Sequence, residues 1–257
     1  MEEPPEEKVR YMLHTTRDEH YAALIENAVL RLYDIGAILV DTAEGFQQRG
    51  HRLENSKLPK TPIYFNLRNQ ENPKPGNLVE SDFDHLARVY LAHLRFHGVQ
   101  FDAIAPIPNA GLPIARALQS RLLKDMGDIV PIIPLIKVND AIQVDGDVLG
   151  RLHQGRRALL LDDTISSAGS KKSTINYLRS VAIEVTDCIV FFDREQGGRD
   201  ALAEMDVRLL APCTLRGVVE MGRIHRPDII TPEALPHILD YIEILRAATA
   251  ERTMCPS

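Results

Sequence analysis

Cysteine is scarce in this sequence, with three in 257 residues. Cys188, Cys213 and Cys255 lie too far apart for a disulfide framework or for metal-ligand spacing, and Cys188 sits in an apolar run that reads as core. No apolar stretch approaches the length of a membrane-spanning helix, and no charged start followed by an apolar segment marks a secretion signal. The expectation is a soluble, cytoplasmic protein with no membrane partner. Basic charge is short as well. Thirty Lys and Arg stand against 36 Asp and Glu, a net charge of −6. That balance argues against a general nucleic-acid binder while leaving room for a local basic pocket around a phosphorylated ligand. No internal repeat is visible. What is present is an ordinary globular composition, 44% apolar and 26% charged, in a chain long enough to bury most of its apolar surface.

Short apolar runs at Ile63–Leu67, Ala103–Ala105, Ile132–Ile136, Ala158–Leu161 and Cys188–Phe192 read as strands. Between them runs helical periodicity. Tyr21, Leu24, Ile25, Ala28 and Leu32 mark a first helix ending near Gly36, and Ser81 is placed to cap a second that carries Phe83, Leu86, Tyr90 and Leu94 and stops at Gly98. Further helices are predicted through Ile114–Leu123, over Ser170–Ala182 and from Thr231 onward. In the Ser170 helix, Ile175, Leu178 and Ala182 share one side, with Lys171, Lys172 and Arg179 placed elsewhere. Strands alternating with helices imply crossover connections, and so an α/β fold with a mostly parallel sheet flanked by helices. The charged stretch Gln47–Lys60 reads equally as a hood over a site or a solvated insertion, and Asn69–Asn77 as a connection.

Residues 158–170 carry the most chemistry. A continuously apolar strand delivers two adjacent carboxylates, Asp162 and Asp163, and then a hydroxyl-rich turn, Thr164, Ser166, Ser167, Ala168, Gly169 and Ser170, that opens a helix. Unpaired N–H groups, hydroxyl donors and the positive end of the helix dipole meet there, which suits a phosphate monoester. The acidic pair cannot bind phosphate by charge, so its task is to accept from vicinal sugar hydroxyls or to orient metal-bound water. Together these features imply a ribose phosphate. Two other turns follow strands, where ligands collect in open α/β sheets. Pro106 to Gly111 offers a small-residue turn at Asn109, Ala110 and Gly111. Phe192 to Gly198 offers Arg194, a planar fork suited to a carboxylate or an imide edge.

The stretch around Asp162 resembles the phosphoribosyl-diphosphate (PRPP) signature of type I phosphoribosyltransferases, with Ala168 where that family usually has Gly. The turn at Asn109 is similar to their diphosphate loop. The run Asp193-Arg194-Glu195-Gln196-Gly197-Gly198 and the segment Thr61 to Arg68, with Tyr64 and Phe65, narrow the resemblance to orotate phosphoribosyltransferase and the matching domain of UMP synthase, in order from about Ala22 to Val218. The resemblance implies a type I phosphoribosyltransferase fold with an N-terminal hood. It divides the chain into a loose segment 1–18, a transferase-like domain 19–225 with hood elements from 19–68, and a C-terminal helical extension 226–257. It implies transfer of 5-phosphoribosyl from PRPP to orotate or a related base in pyrimidine biosynthesis, Mg2+ as cofactor, and a homodimer. In this reading Asp162, Asp163 and Lys137 are catalytic, and Arg194, Tyr64, Phe65 and Lys57 or Lys60 face the base. Metal contacts of Asp162 and Asp163 would run through water. One element departs from the family. Its mobile loop is rich in Lys and Arg, whereas residues 137–147 hold one Lys and three Asp, charges that repel a leaving diphosphate. The alternatives are a non-catalytic PRPP- or nucleotide-binding regulator, or a transferase or hydrolase acting on another substrate.

Overall fold

In the computed structural model the described residues are 6–47, 59–138, 141–144 and 155–254. Four strands, β3 (Ala103–Pro106), β6 (Arg157–Leu161), β8 (Glu184–Ile189) and β10 (Arg208–Leu210), form a parallel sheet in the order β10-β8-β6-β3. Side chains alternate across it, as period-2 geometry requires. Ile104, Leu159, Leu161, Ile189 and Leu210 enter one core, while Ala103, Ala105, Ala158, Leu160, Cys188 and Leu209 enter the other. The first core is closed by α1 (Glu6–Asp34), α2 (Glu80–Phe96), α3 (Gly111–Met126), α6 (Leu215–His225) and α7 (Ala234–Met254). The second is closed by α4 (Gly169–Ser180) and α5 (Gly198–Ala203).

Beyond the main sheet each of three strands breaks for two residues and resumes. The resumed pieces β7 (Thr164–Ile165), β9 (Phe192–Asp193) and β11 (Cys213–Thr214) pair as a second parallel ledge in the order β11-β9-β7. The single strand expected over Cys188–Phe192 is therefore two pieces. At the break, the N–H groups of both Phe191 and Phe192 turn to the Asp163 carbonyl, at 2.9 and 3.2 Å.

Three further expectations change. The cap of α2 is Val79 rather than Ser81: its N–H donates to the carboxylate of Asp82, which reaches back from the first turn at 3.0 Å. The first helix begins at Glu6, well before Tyr21. The last helix, expected from Thr231, begins at Ala234 and buries Ile238, Tyr241, Ile242 and Leu245 in the same core as Val29 and Leu32 of α1.

The strand read at Ile132–Ile136 shifts to β4 (Leu135–Val138), preceded by a single parallel bridge from Ile132 to Ile104. It pairs antiparallel with β5 (Ala141–Val144), so Lys137 lies on a hairpin where a loop was expected. Asp140, Asp145 and Asp147 lie outside the described residues. The hood strand β2 (Ile63–Phe65) pairs antiparallel with β1 (Ile38–Val40) and brings Tyr64 and Phe65 over the ends of the main strands.

Candidate active site

The strand breaks create a cavity of about 640 Å³ at the carboxyl ends of the sheet. Asp162, Asp163, Thr164 and Ser166 to Lys171 line it, together with Tyr64, Phe65, Arg68 and Arg194. A second cavity of about 310 Å³ adjoins it, lined by Ile107 to Ala110, Lys137 and Ser173, and the two share Arg68, Lys74, Asp162, Asp163 and Ser170.

The turn at the start of α4 has the donors a phosphate needs. No backbone carbonyl among the described residues accepts from the N–H groups of Ser167 to Ser170, and the hydroxyls of Ser166, Ser167 and Ser170 make no hydrogen bond there. These are the orphan donors of a helix start, aimed into a cavity. Ala168 sits at φ 63° in the left-handed region, the conformation that glycine reaches more cheaply. Its methyl is buried in the second core. On the far side Gly198 supports the turn by close approach. A Cβ there would lie 2.3 Å from the Ser166 carbonyl oxygen and 2.6 Å from Ile165 Cγ1. Gly198→Ala is expected to displace the turn, costing about 1–3 kcal/mol and weakening binding of ribose 5-phosphate. Urea denaturation and calorimetry measure the two effects, and an unchanged affinity would show that the turn does not hold the monoester.

The two carboxylates differ. Asp162 accepts the Asp163 N–H on Oδ1 at 2.9 Å and the Lys171 ammonium on Oδ2, so each oxygen already has a protein partner. Lys171 Nζ also donates to the Thr164 carbonyl at 2.7 Å, and Tyr90 donates its hydroxyl to the Asp162 carbonyl at 2.7 Å. Lys171, expected away from the apolar side of its helix, is only 4% exposed and folds back beneath the turn. Burial pushes the Asp162 carboxyl up, to about 7, against the pull of the Lys171 charge. Burial alone would lower Lys171, but the Asp162 carboxylate beside it reverses that and holds the ammonium charged. Asp163 accepts from Thr164 on Oδ1 at 2.7 Å, its Oδ2 has no hydrogen-bond partner among the described residues, and the residue lines both cavities.

Arg194 is held by backbone. Its N–H donates to the Ile165 carbonyl at 3.0 Å, and Asp193 steadies the next turn by accepting the Glu195 N–H at 2.9 Å and an Arg199 N–H at 3.2 Å. The guanidinium lies 5.5 Å from the Phe65 ring centroid, and Phe65 in turn stacks on Phe192 at 4.3 Å. No hydrogen bond or ion pair from that guanidinium exists among the described residues, although burial opposes its charge. Behind it Gln196 donates to Tyr241 Oη at 3.2 Å, which ties α7 to this turn.

Of the residues singled out in the sequence, Asp162, Asp163, Thr164, Ser166 to Ser170, Tyr64, Phe65 and Arg194 meet in the larger cavity, with Asn109, Ala110 and Lys137 in the smaller. Gly111 lines neither. It opens α3 where a Cβ would lie 2.7 Å from the Leu161 carbonyl. Lys60 is exposed, packs near Gly45 and lines neither cavity. Lys57 lies outside the described residues. Three site residues escaped the sequence reading: Lys171, Arg68 and Lys74. Arg68 ends the Thr61 to Arg68 segment and Lys74 lies in the Asn/Pro-rich connection, so two cations flanking a recognised segment were the available signal.

A parallel sheet whose strand ends carry a hydroxyl-rich helix start and an acidic pair, under an N-terminal hood, defines the type I phosphoribosyltransferase fold. The crystal structure of orotate phosphoribosyltransferase from Aeropyrum pernix superimposes with a TM-score of 0.56 at 25% identity, over 75% of this chain and 97% of that one. Orotate phosphoribosyltransferase of Pyrobaculum aerophilum is 30% identical over 149 residues, 56% of this chain and 70% of the relative. The chain belongs to the orotate phosphoribosyltransferase family. Uridine 5'-monophosphate synthase of Bos taurus is 27% identical over 197 residues, 77% of this chain, which spans 36% of that longer protein. The chain matches no family model.

Proposed function

We propose that this protein transfers the 5-phosphoribosyl group of PRPP to a ring nitrogen of orotate or a related acidic base and releases diphosphate. One observation carries the reading: a single cavity is lined by the donor-rich start of α4, by an acidic pair and by a half-buried guanidinium without an ion pair among the described residues. The monoester sits on Ser166 to Ser170. Asp163 accepts from a ribose hydroxyl through its open oxygen, while Asp162, held by Lys171, shapes the floor. Arg194 presents its fork to the base carboxylate or imide, with Phe65 and Tyr64 against the ring. Loss of diphosphate leaves positive charge on ribose C1, so catalysis here is chiefly positioning and electrostatics.

The donor set suits Mg2+ carried by the substrate. The described residues hold no cluster of three or more metal-ligating side chains. Magnesium characteristically takes one or two carboxylates, several waters and substrate phosphates, and Asp163 has one oxygen to offer, directly or through water. When bound, the ion would neutralise diphosphate charge. A homodimer and a cytoplasmic location belong to the same proposal and rest on the family resemblance. No helix among the described residues is long and apolar enough to cross a membrane.

A second reading, a PRPP-binding regulator without turnover, is favoured by the one Lys and three Asp of residues 137–147. Incubation with PRPP, orotate and Mg2+ separates the two. The transferase reading expects release of diphosphate and a nucleotide product identified by mass spectrometry. PRPP affinity by calorimetry without product favours the regulator, and no affinity for PRPP defeats both.

A further inference from the structure

Resting on the phosphoribosyl reading, we propose that Arg68 and Lys74, from the segment that follows hood strand β2, supply the diphosphate-binding charge that residues 137–147 do not. Both line the larger and the smaller cavity, and so stand at the junction between the monoester end and the turn at Asn109. A diphosphate attached to C1 of a ribose whose 5-phosphate lies on Ser166 to Ser170 passes this junction.

Their pairing sets them apart. In an acidic protein most well-placed cations find a carboxylate: Arg31 pairs with Asp82, Arg121 with Asp84, Arg208 with Asp187 and Arg226 with Asp228. Arg68 and Lys74 pair with none among the described residues. Arg68 donates to neutral oxygens only, Tyr64 Oη at 3.1 Å and Asn66 Oδ1 at 3.4 Å, both through Nη1. Those bonds aim the guanidinium and leave Nη2 and Nε for a ligand. The side chain of Lys74 is exposed and makes no hydrogen bond. Arg68 also faces Arg194 across the cavity, where like charges repel until an anion enters. Meanwhile Lys171 is ion-paired with Asp162, and Asp163 is a single further acid in the shared lining against the two cations. The junction is therefore net positive. Its cations sit on the chain directly after β2, which pairs with β1, and not on the hairpin at Lys137.

The test compares two ligands that differ at C1. In magnesium-containing buffer, calorimetry of the Arg68→Met/Lys74→Met variant should show PRPP affinity reduced at least about tenfold, with ribose 5-phosphate within about twofold, because charge-assisted contacts to the diphosphate are lost selectively. Lys124→Met, which removes an exposed cation from α3, should alter neither. If the double variant does not fold, Lys74→Met alone, a change at an exposed side chain, is expected to weaken PRPP about threefold with the same selectivity. Undiminished PRPP affinity, or equal loss for both ligands, would overturn the assignment. A wild-type protein that binds neither ligand would overturn the phosphoribosyl reading and this one with it.

Discussion

Lys171→Met is expected to destabilise the protein by about 3–5 kcal/mol, the usual cost of stripping one partner from a buried ion pair. Lys171 and Asp162 are both almost fully buried, and methionine fills the space of the lysine stem without its charge. The loss should depend on pH. Burial already pushes the Asp162 carboxyl up to about 7 with the ammonium beside it, and removing that charge raises it further. An unfolded aspartate titrates near about 3.9, so over the interval above that value the folded variant holds a proton that the unfolded chain has released. The stability of the variant is thus fully present below about pH 4 and drains away as pH climbs through the raised folded value. Urea midpoints from acid to alkaline pH should show the gap to wild type widest at the alkaline end. A gap that does not change with pH would mean that Asp162 is not the group left exposed to burial. Asp162→Asn combined with Lys171→Met should recover much of the loss, since no buried charge then remains.

Arg194→Ala should reduce turnover of orotate on the order of a hundredfold to a thousandfold, the scale found when a preorganised charge is taken from a reacting group, and leave PRPP affinity within a few-fold. The division follows from placement. The Arg194 guanidinium lies against Phe65 in the cavity that Ser166 to Ser170 also line, and its main chain is held by the hydrogen bond to Ile165. Arg194→Lys should rescue little, because an ammonium lacks the planar fork that matches a carboxylate or imide edge. Steady-state kcat/KM for the base, set beside calorimetry for PRPP, distinguishes the outcomes. Equal losses in both would show that base and sugar are not read by separate residues. Asp163→Asn should do the converse, weakening ribose recognition first, because Asp163 lines both cavities.

The buried strands were legible because parallel strands covered on both faces are written as unbroken apolar runs, as Ala158 to Leu161 shows. The acidic pair and hydroxyl turn were legible because adjacent chemistry lies in adjacent residues. What stayed hidden depended on distance or on direction. Nothing in the composition of Val190 and Phe191 marks the break that sends Phe192 to a different sheet; the partner that creates it, the Asp163 carbonyl, is 28 residues earlier. Lys171 follows the helix start directly, and helical spacing says where its Cβ lies but not that a long stem can turn under the first turn to meet Asp162. Val79 shows the same limit at a helix end. A valine has no capping oxygen, and the cap is instead made by Asp82 reaching back. Arg68 and Lys74 were visible as residues, but their convergence on one junction required the hood to be folded over the sheet.

The short ledge of β7, β9 and β11 has a bearing on which ligands the protein can accept. Because Ile165 and Arg194 share a main-chain hydrogen bond, the serine turn and the Arg194 main chain are fastened to one another through only a few covalent links on either side. The interval between the two main chains is set by peptide geometry, and the packing of the Arg194 side chain on Phe65, 5.5 Å from the ring centroid, then sets how far the guanidinium reaches. Compounds whose anionic groups match that span should be admitted together, whereas a tether between ring and phosphate longer than the arginine side chain can accommodate should force a choice of one end or the other.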